Sequence, residues 1–246
     1  DSRSQFFATD TTAEIAFSCE NVGLPREELC RRIEKAANDL QINRLLERSI
    51  FELSSGEKQS VAIASVYALS PKILVLDEPS ANLDTSATKR LMAILDVLKK
   101  RGYTIVISEH RIHYLKDIAD RAILIEHGKI KREISREEFQ KLSNSDANEM
   151  GLRSMNLLSI KPHPFDFPKK GNDFVCLDRI SYRYGKNDVI LENVKISAAR
   201  GDVVGIVGHN GVGKSTLLEI VCGLKKEMGG SFLIDGKPAS LKIRNR

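Results

Sequence analysis

The sequence predicts an α/β fold on a parallel sheet, and three observations carry the prediction. KILVLD (72–77) and YTIVIS (103–108) are continuous apolar runs bounded by turn formers, the pattern of strands buried on both faces. Between them Leu91, Ile94, Leu95 and Leu98 line one face of a helical pattern, so helix and strand alternate. A third apolar run, VVGIV (203–207), leads into GHNGVGKST (208–216), a glycine loop with a helical pattern, KSTLLEIVCGL, behind it.

In chain order, DTTAE (10–14) reads as a helix start, and Pro25–Leu46 as a helix with Leu29, Ile33, Ala36, Ala37 and Leu40 on one stripe. Ser54 and Glu57 stand in S-x-x-E capping-box register before an apolar run that Pro71 ends. After KILVLD, Asp84 or Thr85 caps the next helix and Gly102 closes it. RAILIEHGKI (121–130) reads as a hairpin turning at Gly128. Residues 144–173 hold three prolines, many polar residues and no periodicity, which reads as a linker between 1–143 and 174–246. Beyond it, 174–208 alternates and turns like an antiparallel sheet, and GGSFLIDGKP (229–238) is a short hairpin.

The 246 residues suffice for one large domain or two small ones, and 41% hydrophobic content without Trp implies an aliphatic core. Lys+Arg 38 against Asp+Glu 33 leaves +5, spread without a block of like charge. That reads as a solvated surface, and no nucleic-acid partner is expected. Cys19, Cys30, Cys176 and Cys222 form no CxxC pair and read as thiols of a reducing compartment. His110 and His113 have no second ligand pair after them, which speaks against a metal site of that type. No apolar run approaches the ~20 residues of a membrane span, and no signal-peptide pattern is present. The chain opens with Asp1 rather than Met, as a fragment or processed product would.

Gly208, Gly213, Lys214 and Ser215 fit G-x-x-x-x-G-K-[ST], with His209, Asn210, Gly211 and Val212 inside the loop and Thr216 after it. Glycines let successive backbone N–H groups turn onto phosphate oxygens, and the helix start adds its partial positive charge. Lys214 is placed to reach β/γ phosphates and the Ser215 hydroxyl to ligate Mg²⁺. In ILVLDEP (73–79) a strand delivers two adjacent carboxylates at its C-terminal end, suiting Asp77 to Mg²⁺ and Glu78 to polarising a water. LSSGEKQ (53–59) supplies a second helix start, with Ser54 and the Gly56 backbone poised for a γ-phosphate.

LSSGEKQ resembles the signature of ATP-binding cassette (ABC) ATPases, L-S-G-G-Q followed by a basic residue and Gln, and departs from it at Ser55 and Glu57. LDEP is similar to that family's Walker B segment, SANLD (80–84, ending on Asp84) to its D-loop and VISEH (106–110) to its switch-histidine strand. The resemblance implies that His110 senses the γ-phosphate and that Tyr184, with Tyr182 as second candidate, stacks on adenine. It implies ATP and Mg²⁺ as cofactors. The implied fold is a P-loop NTPase with a RecA-like parallel sheet, an ABC antiparallel β subdomain and a helical signature subdomain, in permuted order. SQFFATDTTAEIAFSCENVGLP (4–25) resembles the stretch after the glutamine loop of cobalt- and vitamin-type importers of the energy-coupling-factor group.

The glycine loop normally precedes the acidic strand in such proteins, and here it follows. Residues 1–143 resemble the second half of one cassette and 174–246 the first half of the next, as in a window from a tandem-cassette protein. Cassettes of this family are implied to pair head to tail, within one chain or as dimers. Lys214 and Ser54 would then face one nucleotide, and Asp77, Glu78 and His110 another. A linker of about thirty residues spans up to ~100 Å. The halves are therefore expected to close into one permuted core, with Val203–Val207 laddered to Ile105–Ile107 and Lys214 near Asp77.

The leading reading is the ATP-hydrolysing subunit of a membrane importer, working with transmembrane chains at the cytoplasmic face. The alternatives are a soluble ABC protein acting on ribosomes or nucleic acid, which would want a longer charged insertion, and a binding-only cassette, which Ser55 and Glu57 suggest. In the full-length protein, Lys214→Ala and Glu78→Ala should impair different nucleotide sites. Nucleotide occupancy measured per site checks this, and identical single-site defects contradict it.

Overall fold

The computed structural model describes residues 6–153, 155, 173–185 and 188–244, which divide into two compact units, 1–161 and 162–246. Unit 1 opens with α1 (Thr11–Asn21), capped where the Asp10 carboxylate accepts the Ala13 N–H at 2.9 Å. Helix α2 (Arg26–Asp39) starts after Pro25, whose fixed φ suits a helix entry. It is shorter than the expected run to Leu46. Gln41 turns to φ 56°, outside the helical region, and Asn43–Leu45 form only a 3₁₀ turn.

Helix α3 (Ser55–Ala68) leads to β1 (Ile73–Asp77), α4 (Thr85–Lys100) and β2 (Thr104–Ser108). β1 and β2 are parallel, in register from Ile73 opposite Thr104 to Asp77 opposite Ser108. β3 (Arg121–Glu126) and β4 (Lys129–Ser135) form the expected hairpin through His127 and Gly128, both at positive φ. α5 (Arg136–Lys141) and α6 (Asn144–Glu149) follow.

α6 begins the stretch expected as linker. Ser143 and Asp146 form a reciprocal cap, and Ala147 is buried, so local capping and an apolar anchor hold a helix despite its polar composition. Residues 154 and 156–172 of that stretch lie outside the described residues. The unit's core centres on Ile15, Ala36, Val61, Leu74, Leu95 and Leu98.

The expectation that both strands are buried on both faces fails. Leu74, Leu76, Ile105 and Ile107 pack on the core, while Ile73, Val75 and Val106 on the opposite face stay exposed, Val75 at 74%. Parallel sheets are ordinarily covered on both sides, and this two-stranded ladder is covered on one.

Unit 2 contains β5 (Asp173–Tyr184), β6 (Asp188–Ala199), α7 (Lys214–Val221), β7 (Gly229–Ile234), β8 (Lys237–Pro238) and the single turn α8 (Leu241–Arg244). The sheet runs β6-β5-β7-β8 and every pairing is antiparallel. Leu177, Ile180, Leu217, Ile220 and Phe232 form its core, so α7 packs on the sheet.

Val203–Val207, expected as a strand, forms no ladder among the described residues, and Val203 and Val207 are 99% and 91% exposed. A strand of this kind needs parallel neighbours reached by crossovers, and the sheet of unit 2 offers only antiparallel ones. Its expected partner Ile105–Ile107 ladders with β1. Among the described residues no helix is long and apolar enough to cross a membrane.

Leu95 is fully buried at the heart of unit 1. Leu95→Ala should therefore cost about 2–5 kcal/mol in urea denaturation, and a cost well under ~1 kcal/mol would contradict its central place.

Candidate functional site

In unit 2 the glycine loop is shaped by backbone angles that side chains resist. Gly211 and Gly213 have φ 85° and 94°, in the left-handed region. Gly213 is constrained a second time. A Cβ there would stand 2.8 Å from Ile190 Cγ2 and 3.1 Å from Leu191 Cδ2 on β6, so the loop lies directly against that strand. The loop residues Gly208, His209, Asn210, Gly211 and Val212 are exposed. Lys214 arches over them, its Nζ donating to the carbonyls of Gly208 at 2.8 Å and His209 at 2.5 Å. Ser215 is exposed in the first turn of α7, and Thr216 is buried with Oγ1 3.5 Å from the Tyr184 hydroxyl.

Tyr184 lies at the end of β5 with one edge against Tyr182, ring centres 5.3 Å apart. The Lys225 ammonium sits 4.4 Å from its ring centre and donates to its hydroxyl, while pairing with Glu219 at 2.8 Å. Lys225, then Thr216, hold the Tyr184 phenol below its usual value. Lys225 escaped the sequence reading because GLKKE carries no spacing signal, and only the fold brings it to Tyr184.

In unit 1 the capping box forms as expected. The Ser54 N–H and Oγ donate to Glu57 Oε2 at 3.0 and 2.8 Å, and the Glu57 N–H donates to Ser54 Oγ at 3.3 Å. Glu57 Oε1 also faces Arg44 at 3.3 Å and Arg48 at 3.8 Å. Burial pushes the Glu57 carboxyl up, but Ser54 and the two guanidinium groups outweigh it and hold it below the usual range. Its negative charge is thus engaged locally. Ser55 is half-buried on the first turn. Gly56 is buried, and a Cβ there would meet Ala87 Cβ on α4 at 2.6 Å. That glycine serves helix packing as well as any ligand.

The β1–β2 register sets the remaining groups. Asp77 ends β1 opposite Ser108, and its side chain is exposed. Glu78 follows at φ 43°, its N–H donating to the Ser108 carbonyl at 2.9 Å. His110 Nε2 lies 2.8 Å from Glu78 Oε1, so the two side chains assigned to catalysis meet. Asp84 accepts the Ala87 N–H at 2.8 Å and caps α4, so that oxygen is committed to structure. Sequence reasoning missed Glu109 and Arg111, which tie these segments together. Their only signal was a carboxylate and a guanidinium flanking His110. Among the described residues no three His, Cys, Asp or Glu cluster as a metal cage.

The family described as ABC transporter matches residues 2–81 and 191–246, in two separated stretches. A putative ABC transporter ATP-binding protein of Treponema denticola is 46% identical over 98% of this chain and 50% of its own length. One from Methanosarcina acetivorans is 34% identical over 98% of this chain and 45% of its own length. The chain thus spans about half the length of the curated relatives it matches. Among solved structures, cbiO1 from Clostridium perfringens, described as part of the ABC transporter complex cbiONQ, is 29% identical at TM-score 0.54. That likeness covers 61% of this chain and 59% of cbiO1, and it bears out the α/β P-loop NTPase fold.

Gly56→Ala decides between two opposing effects. In an open helix the change gains up to ~1 kcal/mol, whereas overpacking against Ala87 costs about 1–3 kcal/mol. Denaturant titration should show net loss, and a stabilised variant would contradict the α3–α4 contact.

Proposed function

This chain belongs to the ABC transporter family, and we propose that it binds ATP and takes part in its hydrolysis to drive solute uptake through membrane partners. One observation carries the reading: Lys214 lies over the glycine loop with its ammonium on two loop carbonyls, beside the start of α7. A triphosphate tail exchanges those carbonyls for stronger, charged acceptors, and the amides of the loop and of the first turn of α7 converge on the same oxygens. Tyr184 offers a partly exposed ring for adenine.

Mg²⁺ fits the donors present. It keeps most of its waters and takes one or two protein oxygens; the exposed Ser215 hydroxyl offers a hard oxygen for the ion of one nucleotide, and the exposed Asp77 carboxylate offers one for the ion of the other. When bound, it neutralises phosphate charge. Glu78 then polarises the attacking water, and His110, hydrogen-bonded to Glu78, is placed to turn toward a γ-phosphate. Ser54 and the Gly56 backbone present the start of α3 to a γ-phosphate. Because Glu57 is engaged by Ser54, Arg44 and Arg48, its charge supplies no argument for a binding-only cassette.

The order of the motifs supports reading 1–143 as the C-terminal half of one cassette and 174–246 as the N-terminal half of a second. The likeness to cbiO1 supports an importer of the energy-coupling-factor type, with a second cassette, transmembrane subunits and a peripheral place at the cytoplasmic face.

Lys214→Ala should weaken ATP binding about 10- to 100-fold, the worth of a hydrogen bond to a charged group. Equilibrium binding of a labelled ATP analogue to the intact protein tests this. Wild-type affinity in the variant, or no ATP affinity in the parent, would overturn the reading.

A further inference from the structure

We propose that Glu109 is a positioning residue that preassembles the Glu78–His110 pair; the proposal rests on the functional reading above. Glu109 is half-buried, and both of its carboxylate oxygens are already occupied by protein donors. Oε1 accepts the N–H groups of His110 at 2.9 Å and Arg111 at 3.0 Å. Oε2 accepts the Ser80 N–H at 3.2 Å and the hydroxyl of the buried Tyr114 at 2.8 Å. The donors come from two segments about thirty residues apart, the loop after β1 and the turn after β2. Arg111 adds a second tie between them, its Nη1 donating to the carbonyls of Leu83 at 3.0 Å and Ser80 at 3.4 Å.

Those two segments carry the reacting groups. Glu78 precedes Ser80 by two residues, and His110 follows Glu109 directly. Their side chains meet at 2.8 Å although both are largely exposed, at 48% and 70%, so packing around the pair itself does not hold it. Glu78 also sits at φ 43°, a conformation costly for a residue with a Cβ. Such strain persists only where the surroundings over-determine it. The fully buried Ser80, gripped by Glu109 through its N–H and by Arg111 through its carbonyl, is the fixed point that does so.

An ionised carboxylate is the one side chain that accepts four donors and offers none. Glu109 stays in that form: burial pushes its carboxyl up, but donors from Arg111, Ser80 and Tyr114 outweigh burial and hold it low. A Gln at this place turns an N–H₂ toward two of the donors and severs one of the two segments.

The test compares the intact protein with Glu109→Gln and Tyr114→Phe, reading kcat and KM for ATP beside amide hydrogen exchange. Glu109→Gln should lower kcat about tenfold or more, with KM for ATP within about twofold. It should also speed exchange at the amides of Ser80, His110 and Arg111 while those in the middle of α4 keep their protection. Tyr114→Phe removes one donor, keeps the fold, and should show the same pattern at smaller size. Unchanged kcat in both variants overturns the proposal. So does a joint fall of kcat, ATP affinity and α4 protection, which marks a staple for stability alone. Wild-type protein without ATP turnover would sink the functional reading instead, and unchanged exchange at Ser80 and His110 in Glu109→Gln would then sink the linkage independently.

Discussion

The parallel ladder of β1 and β2 fixes where Asp77, Glu78 and His110 stand in unit 1. Because Asp77 stands opposite Ser108, the residues just past each strand end emerge side by side, and Glu78 meets His110 at 2.8 Å. A slip of one residue would turn every strand side chain to the other face. It would bury Val75 in place of Leu74 and part the two groups. The apolar contacts of Leu74, Leu76, Ile105 and Ile107 with the core hold the register, and the hydrogen bonds of Glu109 and Arg111 carry it outward into the loops. Packing energy and site geometry are thus set by one choice of register.

Unit 2 solves a different problem. Its antiparallel sheet presents β6 as a floor, and the glycine loop lies on that floor so closely that Gly213 has no room for a Cβ. The packing of Leu217 and Ile220 on the sheet orients α7, and its start, with Lys214 and Ser215, follows the loop. In both units a helix start is aimed by packing at its far side, which is how rigid elements hold a flexible-looking loop in place.

Local chemistry was legible in the sequence. The DTTAE helix start, the Ser54–Glu57 box and the Gly128 hairpin each depend on residues within a few positions of one another, and all appear as read. Long-range contacts were not. Gly56 reads as a ligand glycine until Ala87 is found against it, and Glu109 goes unassigned until four donors from two segments converge on it. A continuous apolar run says that a strand wants cover, but it does not say whether a partner is there to give it. Ile73, Val75 and Val106 are accordingly open, and among the described residues Val203–Val207 joins no ladder. The end of α2 was missed for a smaller reason, since nothing local announces that Gln41 leaves the helical region.

In the proposed function Glu78 is the group that readies water for attack at a bound triphosphate. The most direct measurement is steady-state phosphate release by the intact protein carrying Glu78→Gln, taken beside its ATP affinity. Retained binding with turnover lowered on the order of 100-fold, the usual scale for losing a positioned base, is the predicted result. Turnover at the parent rate would contradict the assignment.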